Sequence, residues 1–119
     1  MPARLRPADA AAVAEALARW RSGDADRADL RVLVKHFLAL LELRAPGRSV
    51  EVRVPPYAAV QVVEGVRHTR GTPPAVVETD AGTLIGLATG ELAWVDAEAA
   101  GLLRASGERA DLSPYLPLG

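Results

Sequence analysis

The chain has 119 residues, the length of one domain, and no cysteine, which excludes disulfides, thiolate catalysis and zinc–thiolate sites. Its formal net charge is −1 and 24% of its residues are charged, so it has neither the basic excess of a nucleic-acid binder nor the polarity of a disordered chain. No apolar run approaches ~20 residues, so no membrane span is expected. The stretch Met1–Pro7 lacks an apolar signal core, and the expected location is the cytoplasm. Half the residues are hydrophobic but only 4% are aromatic, so the core must come from valine, leucine and alanine.

In chain order, Pro7 and Asp9 suit the first turn of a helix. Val13, Leu17 and Trp20 then recur at helical spacing, and Gly23 stops it. This helix and its link, residues 1–25, precede a core over 26–119 within one expected domain. Asp26 is placed to cap a second helix, with Asp29 in its first turn. Leu30, Leu33, Val34, Phe37, Leu38 and Leu41 form one broad apolar face of that helix. It ends near Arg44, because Ala45 precedes Pro46 and is biased out of the helical region. A rod of about 27 Å follows from the helical rise, enough to cross a small sheet.

Strands come next. Val50, Val52 and Val54 alternate with Glu51 and Arg53, and Pro55 and Pro56 stop the run. Tyr57–Val63 reads as a second strand with Ala58, Val60 and Val62 on one face, and Ala75–Thr79 as a third. Asp80 caps an apolar helix that Gly90 ends, and Leu92 is placed to fold back on its last turn. Asp96–Gly101 repeats this cap-and-stop pattern on a shorter scale, and Leu102–Ser106 is a fourth strand. Glu64–His68 would add a fifth and make a meander.

These blocks resemble a known family. Asp80-x-x-Thr83, the helix ending Thr89-Gly90-x-Leu92, the alanine-rich turn closed by Gly101 and the strand ending Ser106-Gly107 look like the C-terminal half of the sterol carrier protein type-2 fold. From about Arg44 onward the chain is similar to a compact actinobacterial branch of that superfamily. The blocks that suggest the branch are Arg67-His68-Thr69-Arg70-Gly71-Thr72-Pro73-Pro74, Val76-Val77-Glu78-Thr79-Asp80, and the run from Ala105 to Ser113. The resemblance implies an α+β fold, a mostly antiparallel sheet of four to five strands with helices on one face. It also implies an enclosed apolar cavity and a lipid-type ligand.

Chemistry-bearing side chains are densest between Arg67 and Pro74. Arg67, His68 and Arg70 make a local cationic spot, and guanidinium groups can hold a carboxylate or phosphate in two-pronged fashion. A solvated hairpin tip, or pairing of Arg67 and Arg70 with Glu64 and Glu78, is the plainer account of the same residues. His68 with Glu64 or Glu78 could work as acid and base, but no nucleophile accompanies them: there is no Gly-x-Ser-x-Gly and no cysteine. With only two histidines, no metal-ligand spacing and no phosphate-binding glycine loop, no catalytic residue, metal or cofactor is expected. His36, beside the apolar face of the long helix, reads as a boundary residue.

Two functional readings remain. In the first, Phe37, Leu41, Val60, Val62, Leu84, Leu87 and Trp94 line an apolar cavity for a fatty-acyl or similar lipid-like molecule, and Arg67, His68 and Arg70 anchor its polar head. In the second, the chain is an accessory or dimerisation module for a partner enzyme. Similar domains are attached to metal-dependent thiol-cofactor isomerases, whose metal histidines lie in another domain, so that activity is not expected to transfer to these 119 residues. Homodimerisation stays open, and no nucleic-acid partner is expected.

Overall fold

The computed structural model describes residues 5–65, 75–107 and 109–119. The first helix, α1, is Ala10–Arg21, and it starts later than Pro7 suggested. Asp9 is its cap rather than part of its first turn: the Asp9 backbone is extended, and its carboxylate accepts the Ala12 N–H at 3.3 Å. The long helix, α2, is Arg27–Arg44, as its apolar spacing requires, and it opens with a reciprocal cap. The Asp26 carboxylate accepts the Asp29 N–H at 2.8 Å, while the Asp29 carboxylate accepts the Asp26 N–H at 3.2 Å. Asp29 also takes two bonds from the Arg19 guanidinium, at 2.8 and 2.7 Å, so one buried carboxylate joins α1 to the start of α2. Arg19, first through this bonding, holds the Asp29 carboxyl below its ordinary range.

Four strands follow: β1 (Val50–Val54), β2 (Ala58–Val62), β3 (Ala75–Thr79) and β4 (Leu103–Ser106). Their order across the sheet is β2-β1-β3-β4. β1 and β2 are antiparallel, as are β3 and β4, whereas β3 runs parallel to β1. The sheet is therefore mostly antiparallel with four strands, but it is not a meander. The chain leaves the β2 edge and passes β1 to reach β3. Glu64 and Gly65 belong to no strand, and the rest of the fifth-strand expectation falls outside the described residues.

Burial alternates along the strands as a sheet covered on one side demands. Val50, Val52, Val54 and Val77 are buried toward the helices. Arg53 and Arg104 are exposed on the other face, beside the half-buried Glu51 and Glu78. Helix α3 (Ala81–Thr89) is capped by Asp80, whose carboxylate accepts the Thr83 N–H at 2.8 Å, and it ends at Gly90 with φ 84°. Leu92 does fold back: its N–H donates to the Gly86 carbonyl at 3.0 Å. Helix α4 (Trp94–Ala99) begins before Asp96, which lies in the first turn instead of capping it.

α2 packs on β2 and α3, and α1 packs against α2. One apolar cluster runs from Val13 in α1 to Leu118, near the end of the chain. The final segment is fastened at both sides. Arg44 donates to the carbonyls of Tyr115 and Pro117 at 3.2 and 2.6 Å, and the Leu118 N–H donates to the Ala88 carbonyl at 2.8 Å. Arg109 donates to the Glu64 carbonyl at 3.1 Å rather than pairing with Asp111, whose carboxylate accepts the Ser113 N–H. Among the described residues no helix is long and apolar enough to cross a membrane.

Candidate functional site

The apolar residues expected to line a cavity are all buried in the core. Phe37 and Leu41 descend from α2, Val60 and Val62 rise from β2, Leu84 and Leu87 come from α3, and Trp94 opens α4. All seven belong to the same apolar cluster. They come together because α2 places residues spaced by three and four on one face, while β2 and α3 flank that face. The three polar candidates, Arg67, His68 and Arg70, lie outside the described residues.

This interior is closed. Phe37 and Leu41 are each 1% exposed, Val62 is 0% and Trp94 is 8%. Side chains this completely covered touch neighbours on all sides, as close-packed cores do.

An open hollow of about 300 Å³ lies elsewhere, where β1 and β3 end and β4 begins. Pro55, Leu102 and Leu103 form apolar parts of its lining, with Glu78, Asp80 and Arg104 as charged groups. Both Asp80 oxygens are already engaged by the N–H and hydroxyl of Thr83, at 2.8 and 3.1 Å. Glu78 sits in register between Arg53 on β1 and Arg104 on β4. The sequence pointed to none of these as a group, because their proximity depends on β3 lying between β1 and β4. Local spacing carries no sign of that order.

His36 is a half-buried boundary residue, as its position beside the stripe suggested, and it has a definite partner. Its Nδ1 accepts the Ala8 N–H at 2.9 Å, and its ring meets Phe37 edge-on, with centroids 5.1 Å apart. Burial lowers the imidazole's pKa from its ordinary value. Only the neutral ring can accept at Nδ1, so the unfolded chain binds the proton more readily than the folded one. The stabilisation is therefore present above about pH 6.5 and is lost as pH falls through the lower folded value. Thermal unfolding should accordingly show a midpoint that drops between pH 7.5 and 5.5, and this drop should shrink in His36→Gln. An equal slope in the variant would show that His36 is not the group responsible.

Comparison with known proteins adds one result. A family model described as bacterial SCP ortholog matches residues 26–118, from the cap of α2 to Leu118, and leaves α1 outside the match. No curated protein matches the chain.

Proposed function

Because the chain belongs to the bacterial SCP (sterol carrier protein) ortholog family, we propose that it binds a lipid-like small molecule and carries it without chemical change. The observation that supports this reading most directly is the convergence of Phe37, Leu41, Val60, Val62, Leu84, Leu87 and Trp94 into one apolar interior. A fatty-acyl chain entering between α2 and the sheet would exchange water for that surface, which is favourable at roughly 25 cal/mol per Å². Arg67, His68 and Arg70 are the groups assigned to an acidic head.

Delipidated protein should bind cis-parinaric acid saturably, with a rise in probe fluorescence. Arg70→Ala should weaken the free acid by about tenfold, the scale of one lost hydrogen bond to a charged group, while leaving the methyl ester almost unaffected. Absence of saturable binding in the wild-type protein would end the carrier reading.

Closure of the interior favours a second reading, an accessory module with no ligand of its own. That reading calls for a partner or a second copy, which light scattering and pull-down from a lysate of the source cells would detect. A strict monomer that takes up the probe excludes it.

A further inference from the structure

We propose that α1 and α2 form a hinged hairpin lid over the apolar interior, latched at its tip by the Arg21–Glu91 ion pair. This rests on the carrier reading and supplies the opening that reading requires. Within the hairpin the two helices are tightly joined. Arg19 makes two bonds to Asp29, Ala8 donates to His36, and Val13 and Ala16 are buried in α1. The pair therefore moves as one body more readily than it separates.

The hydrogen bonds at the two ends of that body differ. At the base, where α2 meets the sheet, the Val63 N–H donates to the Ala45 carbonyl at 2.7 Å. Ser49 donates to the Val63 carbonyl from both its N–H and its hydroxyl, at 3.0 and 2.6 Å. Arg44 adds its two bonds to the carbonyls of Tyr115 and Pro117. At the tip, where α1 turns into α2, Arg21 donates to Glu91, just past the end of α3, at 2.8 Å. The two side chains are 51% and 43% exposed. Glu91 is aimed by a second contact, since its other oxygen accepts from the Thr89 hydroxyl at 3.1 Å.

α2 is 18 residues long, with the hydrogen-bonded base at its C-terminal end and Arg21 just before its N-terminal end. Rotation about the base lifts the Leu33 and Val34 end of α2 first and opens the interior from the tip. Exposed ion pairs are individually weak and are screened by salt, so they suit a contact that must break repeatedly.

Two readouts test the latch, one of which needs no ligand. In Arg21→Gln and in Glu91→Gln, hydrogen exchange of the Leu33, Val34 and Phe37 amides should accelerate about two- to fivefold, the range open to an exposed pair. Stopped-flow uptake of cis-parinaric acid should quicken by a similar factor. The charge swap Arg21→Glu with Glu91→Arg should return both rates toward wild type, and the buried Val52 and Val77 amides of the sheet should keep wild-type exchange in the single variants. An equal acceleration there would mean a general loss of stability and overturn the latch. Wild-type uptake with rates unchanged in the single variants overturns the latch and leaves the carrier reading standing. No uptake by any of these proteins overturns both.

Discussion

Truncating Phe37 to alanine is expected to remove about 3–5 kcal/mol of stability, the usual cost of deleting a buried aromatic ring. The ring is 1% exposed and sits midway along α2, where that helix meets β2 and α3. A domain of this size has roughly 5–15 kcal/mol in all, so the variant stands near the edge of folding. Urea unfolding followed by circular dichroism gives the number. The result also bears on function, because the cost depends on how tightly the surroundings grip the ring. A loss below about 1.5 kcal/mol would mean that space already exists around Phe37, as in a site built to admit a ligand. A full loss would mean that the resting interior is filled by protein and that uptake must begin with movement of α2.

Gly47→Ala is the second severe substitution, and for a different reason. Gly47 has φ 150°, and a Cβ placed there would lie 2.2 Å from both the carbonyl carbon and oxygen of Val63, and 2.4 Å from the Glu64 nitrogen. All three are backbone atoms, so no side chain can swing aside. Overpacking and an unfavourable φ together should cost roughly 3 kcal/mol or more. Gly23→Ala serves as the control, since Gly23 has φ 82° but nothing within 4 Å of the added carbon. Its cost should stay near 1 kcal/mol, the conformational part alone. Equal losses in the two variants, measured by the same unfolding experiment, would contradict the close approach of Gly47 to Val63. Because Val63 itself has φ 67° and carries the bonds to Ala45 and Ser49, this substitution strikes the base of the proposed lid.

Much of the architecture was legible because its signals are local. The spacing of Leu33, Val34, Phe37, Leu38 and Leu41 marks α2 whatever the rest of the chain does. The alternation of Val50, Val52 and Val54 marks β1 in the same way, and Asp80 and Gly90 bracket α3 by their own backbone and capping chemistry. What could not be read depends on residues far apart in sequence. Whether β3 would lie beside β1 in parallel or continue from β2 is decided by which pairing buries Val77 and Val52 together, and alternation looks identical in both. The bond between Ala8 and His36 and the pairing of Arg21 with Glu91, 70 positions apart, are likewise tertiary facts. The burial of the apolar candidates was legible because burial and ligand contact call for the same kinds of side chain. For that reason, their burial alone does not separate a carrier from a plain core, and the binding and exchange experiments do.

The face of the sheet turned away from the helices has a consequence for any partner. Arg53, Glu78 and Arg104 stand in one cross-strand row there, with Glu51 beside Arg53. A protein that docked flat on this row would have to strip the hydration from several charges at once, and the attraction regained seldom exceeds that penalty. The row therefore repels dry contact much as charged residues guard exposed strands elsewhere. A second protein, or a second copy, gains more beside the exposed apolar side chains Leu43 on α2 and Val95 on α4, which are 65% and 67% exposed.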